Sequence, residues 1–121
     1  MDKKRILLVD DSDTILVFEK LMLGSLYETL TAKNGRLALE TALKEKPDLI
    51  LMDIMMPEMD GIESLRAMRA QETTKKIPII MVTTKSEKAR VETCYKLGCS
   101  DFINKPIDKI ELLTKVKKFL N

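Results

Sequence analysis

The 121-residue sequence contains no histidine and no tryptophan, and it has only two cysteines. Without histidine the chain has no imidazole to act as a general acid or base, and any phosphohistidine in its chemistry belongs to a partner. Cys94 and Cys99 have no second pair of metal ligands, which argues against a zinc site and, in a reducing compartment, against a disulfide. We expect two reduced, partly buried thiols.

The sequence also lacks an excess of charge of one sign. It carries 21 basic and 19 acidic residues, a net charge of +2, and its aromatic residues are three Phe and two Tyr. A nucleic-acid reader usually has a strong basic patch and aromatic rings that stack on bases. We therefore expect no nucleic-acid partner.

Long apolar runs are absent as well. No run approaches the roughly 20 residues of a membrane span. The first residues, MDKKRILLVD, lack the apolar core of a signal peptide. We expect a cytoplasmic protein with no membrane partner.

The length fits one domain, residues 1–121, with 45% hydrophobic and 33% charged residues. Such a chain can bury a sizeable core without a covalent crosslink. We expect no separate output domain, so that any signal leaves through binding to another protein.

Five short apolar runs alternate with helical patterns. The runs are Ile6–Val9, Thr29–Ala32, Leu49–Met52, Ile77–Val82 and Phe102–Ile103. Several are almost continuously apolar, which is typical of parallel strands covered on both faces. Strands that alternate with helices at this spacing predict βαβ units, and hence an α/β fold with a doubly wound parallel sheet.

The helical segments carry start and stop signals. Pro47 should end the second helix, Ser86 should cap the fourth and Gly98 should stop it. Asp108 and Glu111 have the spacing of a capping box at the start of the last helix. The residues expected to face inward on that last helix are Ile110, Leu113, Val116 and Leu120.

Polar residues follow four of the five apolar runs. Asp10 and Asp11 follow the first, Asp53 the third, Thr83 the fourth and Lys105 closely follows the fifth. In an open parallel sheet, ligands bind outside the carboxyl ends of the strands. Taken singly, the aspartates could be helix caps or turn residues, Thr83 a strand end and Lys105 a surface lysine. Because all of them would lie at the carboxyl edge of the sheet, the sequence predicts a ligand-binding site there.

Three carboxylates with a lysine and a hydroxyl suit phosphoryl chemistry. Clustered carboxylates attract a hard cation, and Mg²⁺ prefers oxygen ligands. An ionised carboxylate is itself a nucleophile that forms an aspartyl-phosphate, so no general base is needed. The metal, Lys105 and Thr83 would neutralise charge on the transferring group.

With these residues in place, the sequence resembles the receiver domain of two-component response regulators, the chemotaxis type included. The matching stretches, in order, are LLVDDS, DLILMDIMMPEMDGIE, IPIIMVTTKS and GCSDFINKP. The resemblance covers essentially the whole chain. It implies a flavodoxin-like, five-stranded parallel sheet of order 2-1-3-4-5. It also implies a cis peptide bond between Lys105 and Pro106.

The resemblance implies a role for each site residue. Asp53 would accept a phosphoryl group from a phosphohistidine on a sensor histidine kinase or a histidine phosphotransfer protein. Thr83 and Lys105 would contact the phosphoryl oxygens, and Phe102 would turn inward when Thr83 moves. The implied ligands of Mg²⁺ are Asp10, Asp11, Asp53 and the backbone carbonyl of Met55.

Such a protein would catalyse its own phosphorylation and slow dephosphorylation without being a conventional enzyme. The phosphorylated form would change its affinity for a downstream effector protein. The sequence does not identify the kinase or the effector.

Two features depart from the family pattern. Thr84 is bulkier than the Ala or Gly that commonly follows the family threonine, which we expect to restrict access of small phosphodonors. The first helix is apolar nearly all round, and one face cannot bury every such side chain against a sheet. We interpret the remainder as a docking face for a partner's helical bundle, with scattered exposure as the alternative.

Two other functions share part of this pattern. A Mg²⁺-dependent phosphatase of the haloacid-dehalogenase type also uses an aspartyl-phosphate, but it needs a second aspartate where this chain has Met55. A flavodoxin-like electron carrier needs a Ser/Thr/Gly-rich phosphate loop and aromatic walls for the flavin. Asp10 and Asp11 would repel that phosphate.

Overall fold

The computed structural model describes residues 2–120, in which five strands alternate with five α-helices. Two short 3-10 segments, Gly24–Leu26 and Lys85–Arg90, lie between these elements. The elements in chain order are β1 Arg5–Val9, α1 Asp13–Leu23, β2 Glu28–Ala32, α2 Gly35–Glu45, β3 Leu49–Asp53, α3 Gly61–Arg69, β4 Ile79–Thr83, α4 Val91–Leu97, β5 Asp101–Asn104 and α5 Lys109–Leu120.

The five strands form one parallel sheet of order β2-β1-β3-β4-β5. This order and the doubly wound α/β architecture confirm the predicted fold. Successive side chains of each strand point to opposite faces, so the apolar runs supply two separate cores. One core joins the sheet to α2, α3 and α4, and the other joins it to α1 and α5.

The carboxyl ends of β3 and β4 extend one residue beyond the predicted runs. Asp53 and Thr83 are the last residues of their strands rather than the first residues after them. The register pairs Asp53 with Val82, and Thr83 with Asn104. Both polar side chains are therefore held by strand hydrogen bonding instead of by a loop.

Side-chain caps set most helix starts. Ser12 caps α1, Asn34 caps α2 and Asp60 caps α3. The predicted cap at Ser86 is wrong, because a 3-10 segment precedes α4 and begins after Thr84. There the Glu87 carboxylate accepts from the Thr84 backbone N–H at 2.9 Å.

Three predicted helix ends agree with the structure. Gly98 ends α4 with a φ of 103°, a left-handed conformation that glycine adopts without strain. Lys46 closes α2 just before Pro47, also with a left-handed φ. Asp108 accepts the Glu111 backbone N–H at 2.9 Å, which is half of the predicted capping box.

The prediction that Ile110 faces inward is wrong. Its side chain is 75% exposed, whereas Leu112 is fully buried together with Val116. Leu113 and Leu120 are partly buried against the same core. The inward stripe of α5 therefore passes through Leu112 and Val116, four residues apart, rather than through Ile110.

The two cysteines and the peptide bond before Pro106 follow the expectations from the sequence. Cys94 and Cys99 are free and buried in the core beside α3 and α4. The Lys105–Pro106 peptide bond is cis.

Within residues 2–120, no helix combines the length and apolar character needed to cross a membrane.

Which side of α5 packs against the core can be tested directly. We expect Leu112→Ala to lower the free energy of unfolding by about 2–5 kcal/mol, because it opens a cavity in the core. Ile110→Ala is the matched control and should change it by less than about 0.5 kcal/mol, since that side chain lies in solvent. Urea denaturation measures both. Equal losses would contradict the assigned helix face.

Candidate functional site

Three carboxylates meet at the carboxyl edge of the sheet. Asp10 and Asp11 directly follow β1, and Asp53 ends the neighbouring strand β3. One carboxylate oxygen from each lies within 4.8 Å of the others. Asp10 and Asp53 are buried, with 1% and 4% of their surface exposed, while Asp11 is exposed. The structure thus brings together the three predicted acidic residues.

Lys105 follows the edge strand β5, and its side chain reaches back to the two buried carboxylates. Its Nζ lies 3.1 Å from Asp53 Oδ1 and 3.4 Å from Asp10 Oδ2. The shorter contact is an ion pair between the ammonium and the Asp53 carboxylate. One ammonium therefore partly compensates two negative charges.

The proton affinities reflect this crowding. The pKa of Asp53 is raised to about 6, first by burial and then by the charge of Asp10, while Lys105 acts in the opposite direction. Burial tends to lower the pKa of Lys105, but the charges of Asp53 and Asp10 raise it above its usual value. The site stores repulsion that a further cation would relieve.

A glycine brings the following loop against the end of β3. The Gly61 N–H donates to the Ile54 carbonyl at 2.7 Å. A Cβ at position 61 would collide with the backbone carbonyl of Asp53. Only glycine fits this close approach, which explains the DG pair in the stretch DIMMPEMDG.

Thr83 lies on the strand next to Asp53 and is fully buried. Its hydroxyl donates to the Thr84 carbonyl at 2.9 Å. The Thr84 hydroxyl is held by the Glu87 carboxylate at 3.0 Å. Sequence reasoning missed Glu87, although its position three residues after Thr84 is the capping-box signal.

Phe102 lies on β5, half-buried, and pairs in register with Met81 of β4. Its ring meets Tyr95 edge-to-face with centroids 6.2 Å apart. Lys115 of α5 stands 5.2 Å from the ring centroid and donates to the Phe102 carbonyl at 2.5 Å. The predicted switch residue is thus packed at the surface formed by α4, β5 and α5.

Met55 and Lys85 border the mouth of the site. Met55 is 51% exposed, and its sulfur lies 3.2 Å from Arg90 Nη1. Lys85 is exposed in the 3-10 segment that follows β4. Arg90 also lies 3.9 Å from Asp60 Oδ2, so it ties this segment to the start of α3.

Part of α1 is exposed and apolar, as expected from its sequence. Val17, Phe18 and Leu21 are 55%, 54% and 68% exposed. Leu16 and Leu23 face the core instead. The exposed three lie within five consecutive residues of α1, and Phe18 also lines a cavity that Lys105 borders.

Sequence reasoning missed Glu19, a buried acid on α1. It lies on the inward stripe between Leu16 and Leu23, at the i, i+3, i+7 spacing that predicts burial. It is only 1% exposed, and its Oε1 atom has no hydrogen-bond partner in the described part of the chain. Its pKa is raised from 4.5 to about 8, mainly by burial and then by Asp10, with Lys105 acting in the opposite direction.

The donor set fits a hard divalent cation. All three acidic groups offer oxygen atoms at one point, two of them buried and undercompensated. Mg²⁺ takes such oxygen ligands and keeps some of its waters, which the exposed Asp11 side leaves room for.

The fold and the residues at the carboxyl edge of its sheet define the class of protein. A doubly wound sheet with three carboxylates, a lysine and a threonine at its carboxyl edge is the arrangement that the resemblance to receiver domains implies. The model of the response regulator receiver domain matches residues 6–117. The chain belongs to the response regulator receiver domain family, and hence to two-component signalling.

Relatives and solved structures agree with this membership. The chain is 35% identical over 118 residues to the polar-differentiation response regulator DivK of Brucella anthropi, covering 97% of this chain and 96% of DivK. It is 39% identical to the alkaline phosphatase synthesis transcriptional regulatory protein PhoP of Bacillus subtilis, over 97% of this chain. It spans only 48% of the length of PhoP.

One solved structure bears directly on the metal. The receiver domain of the sensor histidine kinase PA1611 from Pseudomonas aeruginosa superposes with a TM-score of 0.89 at 32% identity, with 97% of each chain covered. In that protein a magnesium ion is coordinated in the active site cleft.

Glu19 predicts how stability depends on pH. The unfolded chain releases this proton near pH 4.5 and the folded chain near pH 8. Its contribution to the free energy of unfolding therefore falls as pH rises through this window. Glu19→Gln removes the effect, so we expect the variant to be more stable than the parent by about 1–3 kcal/mol at pH 9, and by much less at pH 5.

Thermal unfolding with a chelator present measures this difference. Glu92→Gln, an exposed position on α4, is the matched control and should follow the parent at both pH values. A stability gap between Glu19→Gln and the parent that stays constant from pH 5 to pH 9 would contradict the assigned proton.

Proposed function

We propose that this chain is a phosphorylation switch in which Asp53 accepts a phosphoryl group from a phosphohistidine. The convergence of Asp10, Asp11, Asp53 and Lys105 at the end of two adjacent central strands and β5 is the observation that carries the proposal. Residues 1–121 would act as one receiver domain that promotes its own phosphorylation and slow dephosphorylation.

Asp53 is the nucleophile in this proposal. An Asp53 carboxylate oxygen forms a bond to phosphorus while the P–N bond to the donor imidazole breaks, and the bonding electrons return to the imidazole. The strand pairing of β3 with β1 and β4 fixes the carboxylate before the donor arrives. Such positioning is worth several kcal/mol of barrier, in the range of ~7–11 for ideal cases.

The remaining side chains stabilise negative charge. Asp10, Asp11, Asp53 and the Met55 carbonyl would hold Mg²⁺, which supplies positive charge to the transferring phosphoryl group. Lys105 already lies against Asp53 and can move onto a phosphoryl oxygen. The Thr83 hydroxyl can turn from the Thr84 carbonyl to donate to another oxygen.

The switch would run from Thr83 to Phe102. Thr83 on β4 pairs with Asn104 on β5, and its carbonyl accepts the Lys105 N–H at 2.8 Å. A movement of Thr83 toward the phosphoryl group would therefore be transmitted along β5, shifting an existing equilibrium of the Phe102 ring. The affinity for an effector protein would change at the face formed by α4, β5 and α5.

The donor partner would be a sensor histidine kinase or a histidine phosphotransfer protein. The exposed apolar side chains Val17, Phe18 and Leu21 on α1 lie near the site and fit a helical bundle of such a donor. Once transfer is complete, a separate effector protein would read the phosphorylated state.

Asp11 tests the metal assignment. We expect Asp11→Ala to weaken Mg²⁺ binding by at least about tenfold and to abolish phosphorylation, because one oxygen ligand is lost. The fold should remain and gain stability without metal, since like charges are removed. Mg²⁺ titration and phosphate incorporation from a donor protein are the measurements.

Asp13→Ala is the matched control for this variant. Asp13 is an equally acidic, exposed neighbour that pairs with Lys33 at 2.6 Å instead of joining the cluster. It should retain phosphotransfer. Normal transfer to Asp11→Ala would refute the assigned ligand.

Met55 and Lys85 predict how long the aspartyl-phosphate lasts. Hydrolysis needs a water in line with the scissile P–O bond, and the exposed apolar Met55 does not orient one. Lys85 can pair with the phosphoryl oxygens. We expect Met55→Asn/Lys85→Glu to lose phosphate several-fold faster, since ~1.4 kcal/mol of barrier is tenfold in rate.

The measurement loads Asp53, removes the donor and follows phosphate release. Lys88→Glu, also exposed but one turn further along the 3-10 segment, makes the same charge change away from the phosphoryl group. It should decay like the parent. Equal decay in the double variant and the parent would show that these side chains do not govern water access.

A further inference from the structure

A cavity of about 540 Å³ lies between α1 and the segment that follows β5. Its walls are mostly apolar side chains from these two parts of the chain. Only two charged residues line it, Glu19 from α1 and Lys105 from the segment after β5. The active-site lysine therefore borders two compartments, the carboxylate cluster on one side and this cavity on the other.

Glu19 lacks a partner in this cavity. Its Oε1 atom is completely buried without a hydrogen bond among residues 2–120. A buried carboxyl oxygen without a donor is destabilising, so any conformation that brings a donor to it is favoured. The apolar neighbours along α1 offer no such donor.

The Lys105 ammonium has more N–H donors than it uses in hydrogen bonds. Its contacts with the Asp53 and Asp10 carboxylates are ion pairs of 3.1 and 3.4 Å. An ammonium carries three N–H donors on a flexible four-carbon stem. It can therefore turn toward the cavity when its attraction to the two carboxylates weakens.

A divalent cation would weaken that attraction. A double positive charge bound by Asp10, Asp11 and Asp53 offsets two of their three negative charges and itself repels the ammonium, so the net attraction on Lys105 falls. The Glu19 carboxyl, with its pKa of about 8, is protonated near neutral pH, but the charge of Lys105 lowers that pKa. An approaching ammonium therefore ionises Glu19, whose proton passes to solvent, and the resulting carboxylate attracts the ammonium.

We propose that Glu19 is a second acceptor for the Lys105 ammonium, which it receives when a divalent cation occupies the aspartate cluster. Glu19 is then a positioning residue: it holds Lys105 beside the site until a phosphoryl oxygen draws the ammonium back. The inference rests on the proposed function, because it assumes the cation. It assigns a role to an acid that the phosphoryl chemistry does not otherwise use.

A double-mutant cycle on Mg²⁺ affinity tests this inference. The four proteins are the parent, Glu19→Gln, Lys105→Met and the double variant, with Mg²⁺ alone as the probe. With Lys105 present, loss of Glu19 leaves the ammonium on Asp53, where it competes with the metal. We expect Glu19→Gln to weaken Mg²⁺ binding about three- to tenfold in the parent, and by less than about twofold in the Lys105→Met background.

The cycle separates positioning from plain electrostatics. If Glu19 acted only as a distant negative charge, Glu19→Gln would weaken Mg²⁺ binding by the same factor in both backgrounds, and that result would overturn the inference. An unchanged affinity in both backgrounds would overturn it too. Glu92→Gln is the exposed control and should match the parent, and Glu19→Met, which leaves no acceptor, should weaken binding at least as much as Glu19→Gln.

A second readout follows the lysine itself. In ¹³C NMR spectra, Mg²⁺ should move the Lys105 Cε resonance in the parent as the ammonium leaves Asp53, with a clearly smaller change in Glu19→Gln. Identical Mg²⁺-induced shifts in the two proteins would refute the second acceptor. Failure of the parent to bind Mg²⁺ at all would instead refute the proposed function, so the two failures are distinguishable.

Discussion

The repulsion among the three clustered aspartates is the interaction on which the site depends. Asp10 and Asp53 are buried side by side, and among residues 2–120 only Lys105 pairs with them. Such an arrangement is unfavourable in itself, and it persists because the parallel strands hold the carboxylates in place. Gly61 completes the constraint by letting the next loop pack against the carbonyl of Asp53. The stored repulsion gives the site its affinity for a cation and then for a phosphoryl group with its counter-ion.

Most of the fold could be predicted from the sequence because the strands are buried on both faces. Runs such as Leu49–Met52 are almost entirely apolar, and helical patterns separate them at regular intervals. The site followed from the same logic, since a polar residue directly after such a run must lie at the carboxyl edge of the sheet. The joint position of Asp53, Thr83 and Lys105 predicted a site, because each alone is an ordinary strand-end or surface residue, and the resemblance to receiver domains then assigned the phosphoryl acceptor to Asp53.

Other features depend on tertiary contacts that a sequence pattern does not contain. Ile110 has the spacing of a core residue, but the last helix turns it to solvent and buries Leu112. Ser86 has the residue type of a helix cap, but Glu87 reaches back to Thr84 and starts a 3-10 segment earlier. Glu19 was overlooked because a charged residue on an apolar helix is normally exposed. Its position between Leu16 and Leu23 was the available signal for its burial.

The site of covalent modification tests the account most directly. The purified protein would be incubated with a phosphorylated histidine phosphotransfer protein and Mg²⁺ and then treated with borohydride, which reduces an aspartyl-phosphate to homoserine. Peptide mass spectrometry would locate the product. The account predicts homoserine at position 53 only, in the parent with Mg²⁺ present, and none when a chelator replaces the metal. Homoserine at another aspartate, or at position 53 regardless of the metal, would contradict it.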